Sequence, residues 1–331
     1  MPNLDRHDFT YSIVVPVFNS ASIVGRTVEQ IVSTFRQAGL AFQLVLVNDG
    51  SSDGSWETIA ALARSHPEVV ALNLLHNYGQ HHANLAGMRE ATGDYVITMD
   101  DDLQNPPDQA LLLVDEAMRG RDAVFGRFET KRASPLRRLG SKAIGLMNHR
   151  IFGQPTDLAV SNFRVLRRDV VDRICASRTA HPYITGQALL YSSNRANVLV
   201  RHDERAEGKS TYSLRRILRL VVTILFSYSS FPLRAAALAG ALVALASFAL
   251  GAAYFIHGLF VQAPIPGWTT LVVLLAFFNG VIIALLSMLG EYVVRTLNSI
   301  NAQDTYHVMD RVGAVTAPPE DARLPLREGP A

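Results

Sequence analysis

The chain of 331 residues has one cysteine, Cys175, two tryptophans and a formal net charge of only +2. A single thiol excludes an internal disulfide framework and suits a reducing compartment. The near-neutral balance says little about partners. A local basic run, Lys131, Arg132, Arg137 and Arg138, has no nucleic-acid recognition module around it, so no nucleic-acid partner is expected. The amino terminus, "MPNLDRHDFT", lacks a basic region followed by an apolar one, and no cleaved signal peptide is expected.

Charge is missing altogether from two long stretches. Residues 235–260 and 268–290 hold no Asp, Glu, Lys or Arg over 26 and 23 residues. A bilayer core needs roughly 20 apolar residues as a helix, so each is long enough to span. Buried core helices are the alternative, but such helices rarely run this far without a charge. The short link "VQAPIPG" makes a hairpin of the two. Arg215, Arg216, Arg219 and Arg234 precede the pair and Arg295 follows it, while the link is uncharged. The positive-inside tendency then places both ends, and the whole N-terminal region, in the cytoplasm. Residues 213–234 interleave arginines with leucine and isoleucine, as an interfacial amphipathic helix does, or as a plain basic flank does. The expected organisation is a cytoplasmic domain over 1–212, a juxtamembrane segment over 213–234, spans over 235–260 and 268–290, and a tail over 291–331. The proline-rich end of that tail, after Arg311, is expected to be disordered.

The first hundred residues alternate apolar runs with amphipathic ones. Strands are expected at 11–18, 42–49, 69–75 and 94–100, with helices over 22–38, 55–65 and 79–91 between them and Ser22 capping the first. Strands buried on both faces and separated by helices argue for a doubly wound, mostly parallel α/β sheet. Ligands of such sheets sit at the carboxyl ends of the strands, and the polar residues fall there. Asn19 ends the first strand, Asn48 and Asp49 the second, and Asp100, Asp101 and Asp102 the fourth. Carboxylates so crowded repel one another unless a cation offsets them. Hard divalent ions take one or two carboxylates plus substrate phosphates. On an extended segment Asp100 and Asp102 point the same way and Asp101 the other, so the triplet reads as a metal clamp for a diphosphate. A solvated acidic turn is the alternative. His81 and His82 diverge by about 100° on a helix and make a poor metal pair.

The segments "IVVPVFN", "LVNDGSSDGS", "NYGQHHANLAG" and "GDYVITMDDDLQNPP", with the paired apolar spans, resemble family 2 glycosyltransferases of the GT-A fold. Within these the chain is similar to polyprenyl-phosphate glycosyltransferases of the GtrB and ArnC type, with dolichyl-phosphate mannose synthase a more distant relative. The resemblance implies a Rossmann-like GT-A domain, a nucleotide-sugar donor, a polyprenyl phosphate acceptor and Mg²⁺ or Mn²⁺. It also implies a bacterial inner-membrane location and a homo-oligomer, a tetramer in relatives. By the same resemblance Pro16, Phe18, Asn19, Asp49, Asp100 and Asp101 fall in nucleotide-sugar motifs. Asp100, Asp102 and Gln104 match metal-site positions. Asp157 matches a proposed base near the acceptor, with capping of the following segment as its structural alternative. Arg205, Lys209 and Ser210 match a loop that closes over donor and acceptor phosphates, and Arg127 and Arg138 match acceptor-phosphate positions. Two departures stand out: Asp101 replaces a usual small residue, and Ser20 a usual glutamate.

An anionic acceptor phosphate needs positioning more than deprotonation, and a leaving nucleoside diphosphate needs its charge offset. A processive synthase would carry Q-x-x-R-W, and neither Trp56 nor Trp268 lies in such a setting. A GDP-mannose-dependent synthase and a catalytically silent nucleotide-sugar-binding scaffold are the remaining alternatives to a UDP-sugar enzyme.

Overall fold

The structure is a computed structural model. It describes residues 4–128, 145, 147–177, 179, 181–201, 203, 267–301 and 306–313, with isolated positions between 238 and 249. The chain divides into two compact units, Met1–Tyr212 with Asp304–Ala331, and Ser213–Gln303.

The first unit is built on one eight-stranded sheet. β1 (Thr10–Val17) is buried from Tyr11 onward and pairs in parallel with β2 (Ala41–Asn48) on one side and β4 (Tyr95–Thr98) on the other. β3 (Val69–Leu74) continues in parallel beyond β2. Sequence order therefore runs outward in opposite directions from β1, and the gap between β1 and β4 is the topological switch point, where open α/β sheets bind ligands. β6 (Arg164–Arg167) is antiparallel to both β4 and β5 (Ala123–Phe128), and β7 (Arg195–Val200) lies parallel to β5. β8 (Val308–Val312) runs antiparallel along β3. The order across the sheet is β7-β5-β6-β4-β1-β2-β3-β8, so the sheet is mixed rather than wholly parallel.

Helices cover the faces. α1 (Val24–Gln37) buries Val24, Val28, Ile31, Val32 and Phe35, a stripe at helical spacing, into the main core. α2 (Ser55–Ser65) and α3 (Gln80–Glu90) follow the next two strands. α3 lies so close to the sheet that a Cβ on Gly87 would come within 2.3 Å of Val14 and 3.2 Å of Val47. α4 (Pro107–Ala117), α5 (Arg168–Ala176) and α6 (Ile184–Tyr191) complete the layers.

Two local expectations are corrected. The N-cap of α1 is Ile23, with no side-chain cap, rather than Ser22; the turn before the helix is closed instead by backbone bonds from Ile23 and Val24 to the Ser20 carbonyl. β4 stops at Thr98, so the acid triplet lies in the turn beyond it and not on a strand. Strand β8 also begins within the stretch read as a tail.

In the second unit, α7 (Trp268–Asn301) is one helix of 34 residues. Leu271, Leu275, Phe277, Ile282, Leu286 and Leu289 stand exposed on it. Among the described residues no helix is long and apolar enough to cross a membrane, so the structure does not bear out the expected hairpin. Most of 235–260, nearly all of 213–234 and the end of the tail lie outside the described residues.

Candidate active site

The loops after β1, β2 and β4 meet at the carboxyl edge of the sheet and are tied together by their own polar groups. Asn19, held at φ +51°, takes Ser51 Oγ with its backbone N–H at 3.0 Å and accepts the Ser52 N–H on Oδ1 at 2.9 Å. Asparagine is among the few non-glycine residues that enter the left-handed region readily. Leu103, at φ +58°, has no such excuse and marks the acid turn as strained.

Within that turn each aspartate has a different neighbourhood. Asp100 accepts two amide donors on the same oxygen, Gln80 Nε2 at 2.6 Å and Asn162 Nδ2 at 2.7 Å, both on Oδ1. Burial, then the Asp102 charge, raises its pKa above the usual carboxylate range. Asp102 Oδ1 accepts the Gln104 N–H at 3.1 Å, which folds the turn back on itself. Asp101 turns toward the β1 loop, bonded by the Ser20 side chain and the Phe18 backbone, and burial pushes its pKa up to about 6. Its Oδ2 is buried without a hydrogen-bond partner. Asp101 thus differs in aim from its neighbours as expected, but the cause is the turn and its bond to Ser20, not strand alternation. That bond joins the two positions where the sequence departs from the pattern it resembles: the acid absent at 20 is present, facing it, at 101.

Asp49, 3% exposed, is grasped from behind. The backbone N–H groups of Tyr78 and Gly79 donate to Oδ1 and Oδ2 at 2.8 and 2.9 Å. Burial raises its pKa and these two bonds lower it, the burial prevailing. Residues 76–80 therefore form a strap along the sheet edge, its backbone bound to Asp49 and its Gln80 side chain to Asp100. Gly50, at φ +64°, lies directly beneath: a Cβ there would stand 2.4 Å from the His76 carbonyl carbon and 2.5 Å from Asn77 N.

Pro16 is buried near the end of β1, and Phe18 is 47% exposed at its tip. Gln104 gives its carbonyl to the Asp203 N–H at 3.0 Å, so the chain leaving β7 runs over the acid turn. Arg127 is exposed near the end of β5. Asp157 is exposed in the turn before β6, and its carboxylate makes no hydrogen bond among the described residues, so it caps no segment there. Arg138, Arg205, Lys209 and Ser210 lie outside the described residues. Sequence reasoning missed Gln80, Asn162 and Arg164. Asparagine and glutamine carry no charge pattern, and an arginine in "FRVLRR" reads as one of several surface cations.

Among the described residues no three His, Cys, Asp or Glu side chains are grouped to hold an ion by themselves. The donor set fits a hard divalent ion completed by phosphate oxygens: two carboxylates, Asp100 and Asp102, lie close enough for the charge of the second to raise the pKa of the first.

Comparison with known proteins agrees with this geometry. Residues 12–175 match the model of glycosyl transferase family 2. The chain is 35% identical over 309 residues, 90% of its length and 88% of the relative's, to an undecaprenyl-phosphate 4-deoxy-4-formamido-L-arabinose transferase of Pseudomonas paraeruginosa. A protein of the same description from Pectobacterium carotovorum is 34% identical, with 92% of this chain and 94% of the relative covered. A mycobacterial protein of known crystal structure shares the fold with a TM-score of 0.50 and 18% identity, over 66% of this chain and 75% of that one. The sheet order, the acid turn at its switch point and these relatives together make the chain a GT-A-fold glycosyltransferase belonging to glycosyl transferase family 2.

Proposed function

We propose that the protein transfers a sugar from a nucleoside diphosphate, UDP in the first instance, to the phosphate of a polyprenyl lipid such as undecaprenyl phosphate. The observation that carries this reading is the acid turn at the switch point between β1 and β4, in a chain whose relatives are described as undecaprenyl-phosphate sugar transferases. An acceptor phosphate oxygen attacks the anomeric carbon as its bond to the donor diphosphate breaks, and the nucleoside diphosphate leaves with the bonding pair. The acceptor is already anionic near neutral pH, so the protein's task is alignment and charge management.

Each residue has a part in this reading. Asp100 and Asp102 hold a Mg²⁺ or Mn²⁺, which when bound offsets charge on the leaving diphosphate. Gln104, two residues after Asp102 and bonded to it through its backbone N–H, would help hold that ion. Asn19, Asp49 and the exposed Phe18 border the nucleotide, with Pro16 shaping the end of β1 beneath it. Exposed Asp157 orients the acceptor phosphate or takes a residual proton. Arg127, Arg138, Arg205, Lys209 and Ser210 meet the phosphates.

Membrane attachment, with the catalytic unit in the cytoplasm, is part of the same proposal. It is supported by the two uncharged stretches, by the arginines flanking them and by the exposed leucines along α7. A homo-oligomer is proposed on resemblance alone.

The test is transfer of label from a panel of UDP- and GDP-sugars to undecaprenyl phosphate in detergent, with Mn²⁺ or with chelator. Metal-dependent label in the organic phase is the expected result, and the donor that gives it names the sugar; GDP-mannose alone would select the mannose synthase alternative. Asp102→Ala should lower turnover at least about a hundredfold, the scale of losing one preorganised electrostatic stabiliser. Full activity in that variant would sink the metal assignment, and no transfer from any donor together with tight UDP binding would favour the scaffold.

A further inference from the structure

Among the described residues Arg164 is the largest fully buried side chain, 0% exposed, and no carboxylate pairs with it. Every bond it makes is to a neutral oxygen. Nε donates to Thr98 Oγ1 at 3.1 Å, one terminal nitrogen to Thr185 Oγ1 at 3.0 Å and the other to Asn162 Oδ1 at 3.1 Å. A buried cation without a partner is costly, and breaking its polar contacts more so. The carboxylate whose charge acts on it is Asp100, one residue further along the same chain of bonds.

The intermediary, Asn162, is oriented by its neighbours. Its Oδ1 accepts from Arg164 and from Asn84 Nδ2, the latter at 3.2 Å. Two donors on one end of an amide decide which end is oxygen, so the other end, Nδ2, must present its hydrogens toward Asp100. Gln80 donates to the same Asp100 oxygen from the strap. Oδ1 is thereby occupied twice, while Oδ2 accepts no hydrogen bond among the described residues.

We propose that Arg164 and Asn162 are positioning residues: the guanidinium fixes the Asn162 amide, which with Gln80 pins Oδ1 of Asp100 and leaves Oδ2 as the oxygen offered to the divalent cation. This rests on the proposed metal role of Asp100 and adds to it the reason that carboxylate is presented in one orientation. Outer-shell partners that orient a metal-binding carboxylate commonly contribute 10- to 100-fold to metal affinity. Arg164 reinforces the direction that Asn84 also sets, because a guanidinium only donates and so can face only the oxygen end of the amide.

The test is Mn²⁺ titration of the full-length protein with UDP present, free Mn²⁺ being read by electron paramagnetic resonance, alongside the melting temperature in chelator. Asn162→Ala is expected to raise the Mn²⁺ dissociation constant about tenfold and, because it also takes a hydrogen bond from buried Arg164, to lower the metal-free melting temperature. Gln80→Ala should raise the dissociation constant to a similar degree, and the double variant should raise it more than either. Arg164→Met, which removes the donor, should weaken Mn²⁺ binding in the same direction but by less than Asn162→Ala, since Asn84 still holds the amide; if it fails to fold, Asn162→Ala decides alone. Wild-type Mn²⁺ affinity in folded Asn162→Ala, or a fall in metal-free melting with affinity unchanged, would overturn the inference and leave the metal role of Asp100 standing. Absence of Mn²⁺ binding by the wild type would overturn both.

Discussion

His81 sits at the start of α3 with its ring against Tyr183, centroids 5.3 Å apart and nearly perpendicular, and its Nδ1 buried without a partner. Burial, with the Arg164 charge behind it, pushes its pKa down to about 3. The folded protein therefore holds this imidazole neutral where the unfolded chain, near pH 6.5, would protonate it. The unfolded state binds more protons between those values, so stability falls as pH drops from about 6.5 toward 3. His81→Gln, which cannot protonate, should flatten that part of the melting profile, and an unchanged acid slope would refute the assignment. Cys175 is shifted the other way, its thiol pushed up to about 11 by burial. Native alkylation at pH 8 should run roughly a hundredfold slower than in denaturant, where a free thiol near 8.5 supplies far more thiolate. Equal rates would mean the thiol is not buried. At this scale the sequence was informative where chemistry shows as charge: Asp49 and the triplet at 100–102 stand at strand ends and could be read. Asn162 and Gln80 could not, since their importance lies in which oxygen they touch, and that depends on β6 and α3 coming to one edge.

Elements were legible in proportion to how local their cause is. The helix over Ser55–Ser65 lies where its pattern put it, and β1 to β4 lie within one or two residues of their apolar runs, because burial on both faces requires such runs. The antiparallel insertion of β6 between β4 and β5 has no periodic signature and follows from long-range pairing alone. The 76–80 strap belongs to the same class. Its anchorage depends on Gly50, where a side chain meets both an unfavourable φ and the His76 backbone. Left-handed geometry alone costs about 1–2 kcal/mol for a residue with a Cβ. Gly50→Ala should therefore lower the melting temperature by about 4 °C or more, and speed hydrogen exchange at the Tyr78 and Gly79 amides that clasp Asp49. A variant with wild-type melting and exchange would show that the strap is not seated on this glycine.

For the whole molecule, the eighth strand changes what the apolar unit is. β7 ends at Val200 and β8 begins at Val308, at opposite flanks of one sheet but at the same carboxyl edge, since β7 runs with β4 and β8 against β3. The unit between them is an insertion within the catalytic domain rather than an appendage. Arg311 binds Glu90 and the Arg89 guanidinium lies over Tyr306, 5.3 Å from the ring centre, fastening the return. No local pattern announced this, because β8 is short and mostly exposed and its partner lies far back in sequence. A chain ended at residue 212 should lose the β8 cover and expose β3 as a sheet edge prone to pairing with other molecules. It should associate on size-exclusion chromatography, whereas joining 203 to 304 by a flexible linker should restore a monodisperse domain. The gap to bridge is seven interstrand spacings, about 34 Å, which roughly a dozen residues can cover if extended. A monodisperse truncated chain would show that β8 is dispensable.

The same pairing sets a clock. Asn73 and Asp310 face each other across β3 and β8 although 237 residues separate them. At synthesis rates of about 5–20 residues per second, β3 leaves the ribosome roughly 10 to 50 seconds before the strand that covers it. During that interval the nascent domain has an open edge while the ribosome is still producing its most apolar stretches, so the sheet is sealed only when five residues made long after β3 arrive to close the seam.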